Sequence, residues 1–331
     1  MRFGLFAAII VAFVLPFGAS AQSLGDLGSA GTSFTVSVAP QYPAPNSPVT
    51  LSFLSSSIDL ANALMSVSVA GKNIYKGSVQ PVSITLGKAG SVTSVSVTIS
   101  SAGANYTQAL SVQPQDVSLV AEPISSSPPL YPGKPSVPLE GNVRVVAVAN
   151  LRSASGQALN PTTLAYSWTV DGTQIANSSG IGKQAVIVAS PLQYRSRDVS
   201  VDIMSPDGRL VGGSSITLSS ADPIVRVYEN DPLLGIRFER ALADTFAIPG
   251  AEATLFAAPF SFPTSGGPPF MQWLLNNAPA QSGSSITLRP TGSGRGSASL
   301  SLTASSGSYT TATQNLSLSF GSSPSFNLFG L

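Results

Sequence analysis

Nearly every periodic segment of this chain alternates residue by residue, as in Phe34-Thr-Val36-Ser-Val38, Val95-Ser-Val97-Thr-Ile99, Val199-Ser-Val201-Asp-Ile203 and Leu300-Ser-Leu302. A strand turns successive side chains to opposite faces, so aliphatic residues alternating with Ser and Thr describe strands with one face buried and one wet. Clusters of Gly, Pro, Asn and Asp interrupt these segments at short intervals. Short strands separated by turn signals predict an all-β sandwich or barrel.

The segments also recur in a fixed order. Trp168-Thr-Val-Asp-Gly172 has counterparts in Trp273-Leu-Leu-Asn-Asn277 and Val67-Ser-Val-Ala-Gly71. Each is followed by an alternating strand (Ile84-Thr-Leu86, Val186-Ile-Val188, Ile286-Thr-Leu288) and then by a hairpin around Gly103, Gly208 or Gly307. A period of roughly 100 residues with about seven strands is the size of an immunoglobulin-like sandwich, not of a short solenoid repeat. The expected organisation is therefore three tandem immunoglobulin-like domains, 34–116, 117–221 and 222–320. They follow a signal peptide at 1–21 and a linker at 22–33, and precede an apolar tail at 321–331.

The signal peptide is read from Arg2, the apolar run from Phe3 to Val14, the breakers Pro16 and Gly18, and the small residues Ala19-Ser20-Ala21. That run is shorter than the ~20 apolar residues of a spanning helix, and no later stretch is longer. The mature chain is thus expected to be exported, beginning near Gln22 without a membrane span.

The combination Tyr166-Ser-Trp168-Thr-Val170-Asp171-Gly172, followed by Val199 to Ile203 and the Pro206-Asp207-Gly208 turn, resembles bacterial immunoglobulin-like and PKD-like domains. The resemblance implies that Trp168 and Trp273 lie on a central strand and fill a core. It carries no implication of activity, because this sandwich hosts many unrelated functions.

Composition removes several classes of chemistry. The chain has no Cys and no His, so it contains no disulfide, no thiolate nucleophile or thiolate metal site, and no imidazole base or ligand. Charged residues are 9% of the chain, 16 basic against 15 acidic, which leaves no field to attract nucleic acid. No cofactor is expected.

The remaining candidates are few. Asp198 and Asp202 are four apart on one strand and share a face. Asp222, Glu229 and Asp231 lie at a domain junction, where Glu229-Asn-Asp-Pro232 is similar to the interdomain calcium strings of cadherins. Calcium needs six to eight oxygens, however, and neither group concentrates them. The third repeat carries two insertions. One brings Arg237 and Arg240 beside Leu233, Leu234, Ile236 and Phe238; the other places Phe256, Phe260, Phe262 and Phe270 around a Pro/Gly loop. Clustered aromatics with Arg are what interface centres prefer. Phe260, Phe262, Phe270, Arg237 and Arg240, with Phe326, Leu328 and Phe329 of the tail, form the candidate partner-binding set.

These readings converge on an exported, non-enzymatic structural or adhesive protein of a bacterial cell surface, envelope or appendage, whose modules contact a protein partner. A carbohydrate-binding accessory module, with a glycan stacked on exposed tryptophans, is the alternative. A secreted glycosidase-type enzyme stands third and would require two carboxylates converging in a cleft.

Overall fold

The computed structural model describes residues 34–291, 294–307 and 309–321. The expected signal peptide, the linker to residue 33 and the tail from residue 322, with Phe326, Leu328 and Phe329, lie outside the described residues. The chain divides into two compact units. The first runs to Pro114 and includes Ala154–Gly156; the second holds Gln115–Ser153 and everything from Gln157 onward.

In the first unit, Thr35–Ala39, Pro48–Leu54 and Val82–Thr85 form one sheet in that order. Lys72–Ser78, Leu64–Val69, Thr93–Ser101 and Ala104–Val112 form the other. The alternation has its predicted effect: Val49, Leu51 and Phe53 are buried, while the intervening Thr50 and Ser52 are half-exposed. Facing strands contribute Met65, Val67, Val97 and Ile99, which close the core between the two sheets.

The second unit contains two such cores. Around the earlier one, the sheet Ala185–Ala189, Asn142–Asn150, Asp116–Pro123 faces a sheet ordered Thr173–Gln174, Ala165–Val170, Ser196–Met204, Val211–Ser219. Around the later one, Gly235–Leu242, Ile224–Asp231, Ala253–Phe260 and Ser285–Leu288 face Thr245–Ala247, Thr310–Phe320, Gly296–Ser306, Phe270–Leu275 and Ala278–Ser282. The common architecture is that of an immunoglobulin-like sandwich, its named strands pairing antiparallel except where Thr245–Ala247 runs parallel to the last strand.

The last sandwich departs from the pattern at the insertion 229–248. There the first strand folds back on itself: Asp231 pairs with Gly235 and Val227 with Leu242. The chain then crosses to the opposite sheet edge, where Ser317 N–H donates to the Asp244 carbonyl at 2.8 Å. The insertion thus covers one sheet edge and extends the other, two places where unpaired backbone would otherwise invite aggregation.

Three equivalent turns show how local chemistry sets the register. Ala70-Gly71, Asp171-Gly172 and Asn276-Asn277 all have positive φ at both positions, +49° and +80°, +49° and +78°, +48° and +64°. This is the tight hairpin turn that matches strand twist. In each, the first residue's N–H donates across to the next strand, to the carbonyl of Ser94 (2.9 Å), Asp198 (2.9 Å) or Ser299 (2.8 Å). Asp171 and Asn276 complete the pair, their Oδ1 atoms accepting from Asp198 N–H and Ser299 N–H, each at 2.9 Å.

Ala70 cannot make that second bond, and its Cβ is strained in the left-handed region. Ala70→Asn therefore stabilises the first unit by about 1 kcal/mol. Differential scanning calorimetry on the full chain should show that unit's transition rise by about 4–8 °C; an unchanged or lowered transition contradicts the equivalence of the turns.

Candidate functional site

Trp168 and Trp273 are both 0% exposed. Each sits on an interior strand of its sheet and donates its indole N–H to a backbone carbonyl, Trp168 to Lys183 (2.8 Å) and Trp273 to Gly283 (2.9 Å). Tyr166, two residues before Trp168, is buried on the same face, and its hydroxyl donates to the Pro161 carbonyl at 2.9 Å. Burial pushes that phenol's pKa above its ordinary value. With ring faces enclosed by aliphatics and polar atoms satisfied, neither tryptophan is a platform for a sugar.

The carboxylates are dispersed. Asp198 and Asp202 do share the exposed face of Ser196–Met204, but Asp198 accepts from the Thr217 hydroxyl at 2.6 Å across the hairpin. Asp222 accepts from Gln193 Nε2 at 2.9 Å. Glu229 lies half-buried on Ile224–Asp231, and Asp231 ends that strand. Among the described residues, no three acidic side chains converge in a way that could hold a metal ion.

Asp231 has a defined local role. Its Oδ1 accepts from the N–H groups of Leu233 (2.8 Å) and Leu234 (2.9 Å), and Gly235 turns the chain back with φ +77°. The hydrogen bonds from Leu234 and Leu233 hold the carboxyl below its usual pKa of 3.8. A carboxyl whose native pKa is depressed stabilises the fold above the unfolded value and loses that contribution as pH falls through the native one. Proteolysis at the tip should thus accelerate as pH drops below 3.8 and be flat above pH 5. Asp231→Asn, which keeps an acceptor oxygen, removes the pH dependence, whereas Asp231→Ala loosens the tip at every pH.

The hairpin tip leaves two large apolar side chains in water, Leu233 at 93% and Leu234 at 71% exposure. Its outer strand is braced. Arg237 pairs with Glu239, and Phe238 packs edge-on between Tyr228 (centroids 5.3 Å) and Phe256 (6.2 Å). Arg237 is thus half-exposed and engaged within its own strand, while Arg240 is exposed.

The second insertion corrects an expectation. Phe262, placed among the partner-binding candidates, is 0% exposed and belongs to the core around Trp273. What its loop meets is the preceding sandwich of the same unit. Ser126 N–H donates to the Phe262 carbonyl (2.8 Å), Ser261 N–H donates to the Ser126 carbonyl (3.0 Å), and Phe262 N–H donates to Ser126 Oγ (3.1 Å). Thr264 N–H donates to the Ile124 carbonyl (3.2 Å), so residues 124–126 act as a short strand laid along the loop.

Phe260 stacks edge-on against Tyr131 at 5.5 Å, and the Glu140 carboxylate accepts from the Thr310 hydroxyl at 3.3 Å. The partner of Phe260 and Phe262 is therefore intramolecular. Phe270 stays 59% exposed at the start of its strand, on the face opposite its buried neighbour Met271.

Sequence reasoning missed the strap 124–126 and its consequence for the loop. The available signal was the Pro/Ser-rich stretch Pro123-Ile-Ser-Ser-Ser-Pro-Pro129 between the first and second strands of its sandwich.

No protein-family model matches the chain, and no curated protein sequence does. Among solved structures it is similar to the three N-terminal domains of the Highly Immunogenic Outer Capsid protein (Hoc) of bacteriophage RB49, with 13% identity over 87% of this chain and 98% of that one and a TM-score of 0.24. It is also similar to the central fibronectin-III array of RIM-binding protein, with 10% identity over 90% of this chain and 100% of that one and a TM-score of 0.28. Fibronectin(III)-like modules of Clostridium thermocellum CbhA give 10% identity over 62% and 95% of the two chains, with a TM-score of 0.24.

Proposed function

We propose that the chain is an exported, non-enzymatic structural or adhesive protein of a bacterial cell surface, envelope or appendage, made of three immunoglobulin-like modules that contact a protein partner. The observation that carries this reading is where the chain spends its distinctive side chains. Trp168, Trp273 and Phe262 fill cores, and Ser126, Glu140 and Phe260 hold two sandwiches together. A chain built this way presents surfaces from a rigid support. The exposed large apolar groups include Leu233, Leu234 and Phe270 of the third module.

Export is supported by the leader-like first 21 residues and by a surface of Ser and Thr in place of charge. No helix among the described residues is long and apolar enough to cross a membrane.

The test is fractionation of the expressing cells, N-terminal sequencing of the recovered chain, and crosslinking on intact cells with identification of the captured protein. A chain beginning near Gln22 in the envelope or medium, with a protein captured through the third module, is the expected result. A chain retaining Met1 in the cytoplasm would sink the proposal.

A further inference from the structure

The exposed leucine tip and the end of the described chain lie at the same pole of the second unit. Ile224 pairs with Phe260 and Glu229 with Leu255, which brings Asp231 level with Ala253, the first residue of its strand. The loop leading into Ala253 is bonded to the end of the last strand. Ala247 is the register partner of Ser319, and Ile248 N–H donates to the Ser319 carbonyl at 2.8 Å. Phe320 and Gly321 thus leave the sandwich at the same end as the turn that carries Leu233 and Leu234.

We infer that residues 322–331 of the same chain dock on this tip, with Phe326, Leu328, Phe329 and Leu331 covering Leu233 and Leu234. The chemistry matches on both sides. The tail carries no charged side chain, so laying its apolar side chains against leucines desolvates no charged side chain of the tail, and two large aliphatic groups in water are a favourable surface to cover. The tip is preorganised by Asp231 and Gly235, which lowers the ordering cost of the contact. Ten residues reach up to about 33 Å, ample for a site at their own exit. A short tether also supplies an effective concentration in the millimolar range, which a second copy in dilute solution does not. The contact is a property of the folded chain and does not depend on its location in the cell.

The experiment is a photo-crosslinker, benzoylphenylalanine, in place of Leu233 in the purified full chain, with peptide mapping after illumination. Alongside it, thermolysin cleavage at the tip is compared between the full chain and one ending at Gly321. Crosslinks within one chain to residues 326–331, with cleavage about tenfold faster in the truncated chain as a contact of about 1.4 kcal/mol would give, are expected. Crosslinks only between two chains would assign the tip to a second copy and overturn the inference. Equal cleavage rates with no tail crosslink would overturn it as well.

Discussion

Trp168→Ala unfolds its sandwich or leaves it marginal, and Trp273→Ala does the same to the sandwich that follows. Truncating a fully buried Trp removes its transfer free energy and leaves a cavity that the surrounding sheets only partly close, a loss of about 3–5 kcal/mol. The Lys183 or Gly283 carbonyl also loses the indole donor, which adds about 1 kcal/mol. Against a total stability of about 5–15 kcal/mol, this is a large fraction. Trp→Phe keeps an aromatic ring and loses the donor, so it should fold with a smaller deficit. Urea titrations followed by circular dichroism measure both series. Alanine variants that stay fully stable and instead lose binding to a polysaccharide would show that the rings are ligand platforms, contrary to their burial.

That result bears on how far the residues alone could be read. Trp168 and the Asp171-Gly172 turn were legible because everything that determines them is local. A period-two strand ends on a residue pair suited to positive φ, and Trp273 with Asn276-Asn277 repeats the arrangement. Val67 with Ala70-Gly71 is the same turn with weaker chemistry, still recognisable by its spacing.

Phe262 was misread for an equally specific reason. The sequence clusters Phe260 and Phe262 with other aromatics around one Pro/Gly loop, and such a cluster reads as an interface patch. Ser261 adopts φ +62° and breaks the alternation, which leaves Phe260 outside against Tyr131 and turns Phe262 into the core. The pairing that accompanies this conformation is with Ser126, 136 residues away, and no local pattern encodes a contact at that separation. Asp231 and Asp198, weak calcium candidates from the start, have defined hydrogen-bond roles: Asp231 accepts from the N–H groups of Leu233 and Leu234, and Asp198 from the Thr217 hydroxyl.

The same strap makes the second large prediction. If residues 124–126 couple the two cores of the second unit, those cores unfold together, and Ser126→Pro separates them. Proline removes the N–H that reaches the Phe262 carbonyl and the Oγ that accepts from Phe262 N–H, two hydrogen bonds of about 0.5–1.5 kcal/mol each. The chain has two tryptophans, one in each core. Trp168→Phe therefore leaves Trp273 as the sole reporter of the later sandwich, and Trp273→Phe leaves Trp168 as that of the earlier one. In the parent background, urea transitions by fluorescence should coincide within error for each reporter and for circular dichroism, the mark of one cooperative unit.

In the Ser126→Pro background they should part by about 1 M urea, since a loss of about 2 kcal/mol is spread over a slope of about 1–3 kcal/mol per molar. Ser126→Ala, which loses only the Oγ acceptor, should fall between. Transitions already separate in the parent would show that the strap is a contact without coupling. The exposed tip would then be carried by a single sandwich, and its geometry would not be supported by the one before it.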